Sequence, residues 1–265
     1  MSDRTDIEFP VHVDVTVRGN LPGADEYART KIEDLRRFLH RPLLHAHVKL
    51  SRPGDPALER PVITQANLDM DGRLVRAEAE GETARDAIDR LDERLRRRLR
   101  RAADHWEARR DGRSIRIPHD TDAEPDHRPG RLAVAPEERQ VVRHKSFALA
   151  PCTVDEAAVE MELLDYDFHL FTEQRTGMAS VLYKDGPTGH RLAQVQPASE
   201  EQLAPFELAL TISPQPAPCI TVEQAAERMG LLGLPFMFFI DAAQGRAGVL
   251  YHRYDGHYGL ITPAG

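Results

Sequence analysis

The chain has 265 residues, 41% hydrophobic and 29% charged, with a formal net charge of −8 at pH 7. That length exceeds the roughly 150 residues of one ordinary domain and calls for two or more. The longest mostly apolar stretch, residues 231–240, is too short to span a bilayer and holds Gly233 and Pro235, and with charges at Asp3, Arg4, Asp6 and Glu8 no signal peptide is expected. Two cysteines, Cys152 and Cys219, are too few for a disulfide framework, so a cytoplasmic protein is expected.

The first predicted element is a strand. In "VHVDVTVRG", Val11, Val13, Val15 and Val17 alternate with His12, Asp14, Thr16 and Arg18, and the run stops at Gly19. From Ala24 to about His40 the apolar residues Ala24, Tyr27, Ile32, Leu35, Phe38 and Leu39 recur at helical spacing, and Pro42 blocks continuation. Three strand-like runs follow, "LLHAHVKLS", "PVITQANLDM" and "RLVRAEAEG", the last two joined by the hairpin signal Asp71-Gly72. A long helix begins near Thr83. The order βαβββα predicts an α+β sandwich over residues 1–110, two helices on one face of a four-stranded sheet.

On a wheel of 100° per residue, Ala84, Ile88, Leu91, Leu95, Leu99, Ala102 and Trp106 share the sector that faces the sheet. Arg90, Arg94, Arg97 and Arg101 line up about 130° away as an exposed cationic ridge. The pairs Asp86–Arg90, Glu93–Arg97 and Arg100–Asp104 have the spacing of an ordinary solvated helix. Yet six of the eight residues from 94 to 101 are Arg and none is acidic, which favours a phosphate-bearing partner, since the guanidinium fork pairs bidentately with phosphate. Arg98, Arg36 and Arg37 join the ridge as candidate RNA contacts. The charge asymmetry agrees: residues 1–117 hold 24 Lys and Arg against 22 Asp and Glu, and the remainder 11 against 21. A polyanion meets the N-terminal half and is repelled by the other.

Residues 111–139 carry four prolines, no aromatic residue and no apolar period, and read as a linker with a mean reach of about 30 Å. Beyond it lies an internal repeat. Residues 153–193 set against 221–261, a shift of 68 without gaps, agree at 15 of 41 positions, including Thr153/Thr221, Met161/Met229, Phe168/Phe236, Phe171/Phe239 and Tyr183/Tyr251. Each copy predicts a short helix capped by its Thr, a strand, a Gly turn and a second strand. Strands near "VVRHKSFAL" and "FELALTIS" are expected to complete the copies they precede, giving copies at 140–197 and 198–265. A unit of about 55 residues is marginal alone. Two on one chain meet at high effective concentration, so the copies are expected to pair intramolecularly, with Phe168, Phe171, Phe236 and Phe239 in their shared core.

Catalytic chemistry finds little support. Cys152 and Cys219 each precede a predicted helix, where a thiol can be activated, but no His, Asn or Asp arrangement accompanies them, and buried, inert cysteines are expected. His40, His45 and His47 lack a second ligand pair at metal-binding spacing and are read as surface histidines. "DGPTG" and "DGHYG" lack Walker spacing and read as turns. No enzyme, metal or cofactor is expected.

"VRGNLPGADEYARTKIEDLRRFL" followed by "RAEAEGETARDAIDRLDERLRRRLRR" resembles the N-terminal domain of the ribosome hibernation-promoting factors, most specifically in Ala87-Ile88-Asp89 and the arginines after it. The repeat resembles the C-terminal domain of the long members, with the match divided between the copies. "VVRHKSF…AVEMELLDYDFHLF" in the first keeps the opening half of the family pattern, and "VLYHRYDGHYGLI" in the second keeps the closing half. Two such copies resemble the dormancy-associated tandem variety of actinobacteria. The resemblance implies a factor seated on 16S rRNA in the small ribosomal subunit, over the channel for messenger and transfer RNA, inhibiting translation and preserving idle 70S ribosomes without building 100S dimers. DNA and membranes are not expected partners. The alternative is a general double-stranded-RNA binder or RNA chaperone whose C-terminal repeats recruit another protein.

Overall fold

The computed structural model describes residues 12–36, 39, 42–52, 61–70, 72–110, 134–135, 138–147, 149–185, 188–253 and 255–264, with the side chains of 104–110 and 147 left out of the description. The chain forms two compact units, one built on the N-terminal elements and one on the C-terminal repeats. Among the described residues no helix is long and apolar enough to cross a membrane. The predicted linker lies mostly outside the described residues.

The N-terminal unit runs β1 (His12–Arg18), α1 (Ala24–Leu35), β2 (Leu43–Ser51), β3 (Val62–Met70), β4 (Arg73–Gly81) and α2 (Ala84–Arg110). Its sheet has the order β1-β2-β3-β4, with β1 parallel to β2 and the other neighbours antiparallel. Period two decides which face each strand buries. Ala46, Val48 and Leu50 of β2, Ala66, Leu68 and Met70 of β3, and Val75, Ala77 and Ala79 of β4 are buried, and so are Ala28, Ile32 and Leu35 of α1 and Ile88, Leu91, Leu95, Leu99 and Ala102 of α2. Small alanines at mid-strand leave room for bulkier helix residues. The α1 helix stops at Leu35, short of the predicted His40, and Arg37, Phe38 and His40 lie outside the described residues.

One glycine sets the closeness of the helix to the sheet. A Cβ at Gly81 would come within 2.3 Å of the Ala87 backbone nitrogen, so the start of α2 rests directly on the end of β4.

The C-terminal unit contains β5 (Val141–Phe147), β6 (Pro151–Cys152), α3 (Val154–Leu163), β7 (Phe168–Glu173), β8 (Ala179–Lys184), β9 (His190–Gln194), β10 (Thr211–Ile212), β11 (Cys219–Ile220), α4 (Val222–Leu232), β12 (Phe236–Asp241), β13 (Arg246–His252) and β14 (Tyr258–Pro263). Thr153 and Thr221 both cap their helices, accepting from the backbone N–H of Glu156 at 3.2 Å and Gln224 at 3.3 Å. These elements make two five-stranded sheets, β10-β9-β8-β7-β6 and β11-β12-β13-β14-β5.

The expectation that each upstream strand completes its own copy is overturned. β5, which precedes the first copy, pairs in parallel with β14 of the second, and β10, which precedes the second, pairs in parallel with β9 of the first. Chain length explains the crossing of β5. Opposite edges of a five-stranded sheet lie four strand spacings apart, about 19 Å. The three residues between β5 and β6 reach about 14 Å at most, so β5 cannot occupy the far edge of the sheet that β6 begins. It crosses instead to the facing sheet, about 10 Å away.

Each sheet buries one face under its own helix. Phe171 packs with Val154, Ala158, Met161 and Leu182 under α3, and Phe239 packs with Ala225, Met229 and Leu250 under α4. The other faces meet in a third core of Leu170, Val181, Phe238, Ala247 and Val249, at whose margin the rings of Phe168 and Phe236 stack 4.7 Å apart. Of the four phenylalanines expected in one core, Phe171 and Phe239 therefore lie in separate ones: they sit three residues from Phe168 and Phe236, and side chains at odd separations on a strand point to opposite faces. Cys152 is half-buried against the α3 core. Cys219 is exposed, contrary to expectation, on the two-residue edge strand β11.

Replacing Gly81 by Ala forces α2 off the sheet, and we expect a loss of about 1–3 kcal/mol of stability, read as a lowered urea midpoint at unchanged m-value; an unchanged midpoint would refute the close approach.

Candidate nucleic-acid interface

The candidate interface is built on α2. Thr83 opens the helix, its hydroxyl accepting from the Asp86 N–H at 3.1 Å, and the apolar stripe Ile88, Leu91, Leu95 and Leu99 fixes its rotation against the sheet. What remains divides into three faces.

The first faces α1. Lys31 lies 2.6 Å from Asp89, and the Tyr27 hydroxyl donates to the same carboxylate at 2.7 Å. Burial pushes the Asp89 carboxyl up, but the hydrogen bonds from Lys31 and Tyr27 outweigh it and hold the group below the usual carboxylate range. Arg85 lies over the Tyr27 ring, 4.7 Å from its centre. One turn on, Arg96 Nε donates to both oxygens of the buried Asp92 at 3.0 Å. These cations organise the helix pair.

The second face lies over β4, the edge strand of the sheet. Arg98 donates to the Arg76 carbonyl at 2.9 Å, and Arg94 donates to the Glu78 carbonyl. The spacings match. Residues four apart on a helix rise about 6 Å, and residues two apart on a strand about 6.8 Å, so successive arginines meet successive outward carbonyls. The two side chains close an edge that would otherwise present unpaired backbone groups. This corrects the expectation that Arg94 stands on a ridge wholly turned to solvent, and it places Arg98 among the structural cations too. A helical wheel gives the direction of the Cα–Cβ bond, whereas a long Arg side chain curls back to reach a carbonyl.

The third face is exposed. Arg97 and Arg100 project from it. Arg90, further back, is tied to Asp86 at 2.9 Å, the i,i+4 pair expected from spacing. Arg101 is half-buried, as is Arg36 at the C-cap of α1, and Arg37 lies outside the described residues. Arg100 was not among the expected contacts. Its signal was the dense run of arginines itself, in which any member missing the strand edge must face water. On the open face of the sheet His45 lies 3.6 Å from Asp14, and His47 lies 3.3 Å from the Thr16 hydroxyl.

The chain as a whole has known relatives. The family described as sigma 54 modulation protein / S30EA ribosomal protein matches residues 11–106, and its C-terminal module matches twice, over residues 136–192 and 214–260. The chain belongs to this family. A dormancy associated translation inhibitor of Mycobacterium tuberculosis is 37% identical over 214 residues, covering 77% of this chain and 72% of that protein. A ribosome hibernation promotion factor of Deinococcus radiodurans is 29% identical over 170 residues, covering 62% of this chain and 88% of that protein. Among solved structures, the N-terminal domain of Thermus thermophilus Protein Y covers 34% of this chain and 98% of its own, at 28% identity and a TM-score of 0.29.

The division of the arginines has a measurable consequence. Arg98→Ala and Arg94→Ala each leave a strand-edge carbonyl without its charged donor and should cost about 1–2 kcal/mol in urea unfolding, whereas Arg97→Ala should stay within about 0.5 kcal/mol of the parent. Equal costs at the three positions would contradict the division.

Proposed function

We propose that this chain is a ribosome hibernation factor of the cytoplasm. Its N-terminal unit binds the small subunit over the channel for messenger and transfer RNA, blocks translation there, and preserves idle 70S ribosomes. The observation that carries this reading is the 37% identity to a translation inhibitor over 77% of the chain, a span long enough to take in both units.

The geometry of α2 supports a contact with 16S rRNA. Arg94 and Arg98 lock the helix to the sheet edge, so Arg97 and Arg100 stand on a rigid platform and lose little side-chain freedom beyond their own when they meet phosphate. The contact is a matter of charge and shape. The helix offers several donors to a phosphate backbone.

The C-terminal half bears on what happens to the ribosome once bound. The exchanged strands and the shared core support pairing of the two copies within a single chain. A chain satisfied in this way offers no unpaired copy to a second ribosome-bound chain, so the factor keeps 70S monosomes and does not assemble 100S particles.

Sucrose gradients of purified 70S ribosomes with added protein test both parts. The protein should sediment in the 70S peak without generating a 100S peak, and the Arg97→Ala, Arg100→Ala chain should move toward the top. Wild-type protein remaining at the top would overturn the reading, and a 100S peak that requires residues 140–265 would overturn the monosome claim alone.

A further inference from the structure

The strand exchange brings together two sequence segments that the repeat had separated. "RHKSF" opens the first copy and "HRYDGHY" closes the second, yet β5 and β14 pair side by side: Arg143 is in register with Gly259, His144 with Leu260 and Lys145 with Ile261. The Gln140 N–H meets His257 Nδ1 at 3.3 Å, tying the start of β5 to the hairpin. In a half that carries 11 Lys and Arg against 21 Asp and Glu, Arg139, Arg143, Lys145 and Arg253 all belong to this edge or the adjoining hairpin, and so do three histidines, 144, 252 and 257.

The edge also has a defined shape. Tyr251, Gly259 and Arg143 form one row across β13, β14 and β5. Any Cβ at Gly259 would come within 2.5 Å of the Tyr251 ring, so the ring lies flat across the glycine. Arg253 is fixed to Asp255 at 2.6 Å, and that carboxylate also accepts the His257 N–H at 3.2 Å, which stiffens the hairpin. Arg143 and His144 are exposed.

The other sheet provides an internal comparison, because the shift of 68 relates the two edges residue by residue. There β10 and the residue after it place Thr211, Ile212 and Ser213 where β5 has Arg143, His144 and Lys145. Thr211 is in register with Arg191, as Arg143 is with Gly259, and Arg191 is paired with Asp185 at 3.2 Å. Two edges of the same architecture thus differ in charge. Packing alone does not ask for the exposed Arg143 and the half-buried Lys145 at only one of them.

We propose that the β5–β14 edge is a second RNA-binding site, taking the phosphate backbone on Arg143 and Lys145 beside the Tyr251 ring of β13, which shares their face of the sheet. An aromatic ring next to a guanidinium group suits RNA, which brings a phosphate and a base with every nucleotide, better than an acidic polypeptide, whose recurring group is the carboxylate. The site belongs to the C-terminal unit, whereas α2 belongs to the N-terminal one. It gives the acidic half of the chain its own hold on RNA.

Binding of a labelled single-stranded oligouridylate of about 20 nucleotides, followed by anisotropy over a range of salt, tests this in the full-length chain carrying Arg97→Ala and Arg100→Ala. Adding Arg143→Ala and Lys145→Ala should flatten the slope of log K against log salt by about 1.4, at about 0.7 per lost single-strand contact. The matched pair Lys184→Ala and Arg246→Ala, exposed cations of the same unit, should leave the slope unchanged. Equal flattening by both pairs would reduce the effect to net charge, and flattening by neither would remove the site; either overturns the proposal. Polyglutamate competing as well as RNA at equal charge would overturn it in favour of an acidic protein partner. If the alanine pair fails to fold, Arg143→Gln with Lys145→Gln, which keeps the aliphatic stems, is held to the same outcomes. Failure of the α2 reading shows separately, as unchanged oligouridylate binding when Arg97 and Arg100 are first replaced.

Discussion

Three residues separate β5 from β6, and the crossing of β5 to the facing sheet follows from that shortness. A strand that cannot reach the far edge of its own sheet must complete another. The reciprocal crossing of β10 makes the arrangement two-sided, and each sheet then depends on a strand from outside its own copy. The copies are joined twice over, by backbone hydrogen bonds at both exchanged edges and by the apolar core around Leu170, Val181, Phe238 and Val249. Separating them would expose that core and remove one strand from each sheet in the same event, which makes the unit cooperative.

The N-terminal unit solves an edge problem by different means. The outer side of β4 is covered by side chains, since Arg94 and Arg98 reach its carbonyls at a spacing that a helix and a strand happen to share. One run of arginines therefore does two kinds of work. Members that fall toward the strand hold the helix in place, and those that fall away, Arg97 and Arg100, carry charge to the surface. Surface charge and fold stability are thus carried by neighbouring residues but not by the same ones.

Much of this was legible in the sequence, because period and punctuation decide local structure. The runs "LLHAHVKLS" and "RLVRAEAEG" became β2 and β4 with the bounds their patterns imply, and Thr153 and Thr221 cap the helices they precede. What escaped was partnership. The run "VVRHKSF" reads as a strand without saying which sheet, and the reach of the connection into β6 decides that. The separate burial of Phe171 and Phe239 was readable in principle, since an odd spacing on a strand changes face. The capping role of Arg94 and Arg98 was not, because a helical wheel carries no information about how far a side chain travels.

A single chain that supplies both copies is the central claim, and a disulfide across the exchanged edge tests it most directly. Ser146 and Thr262 are register partners on β5 and β14, and paired strand positions lie within the Cα separation a disulfide accepts. With Ser146→Cys and Thr262→Cys in a chain whose Cys152 and Cys219 are replaced by Ser, oxidation should yield a cross-linked monomer on a non-reducing gel at every protein concentration. A covalent dimer that grows with concentration as the monomer declines would show that the strands are exchanged between molecules, and would contradict the account.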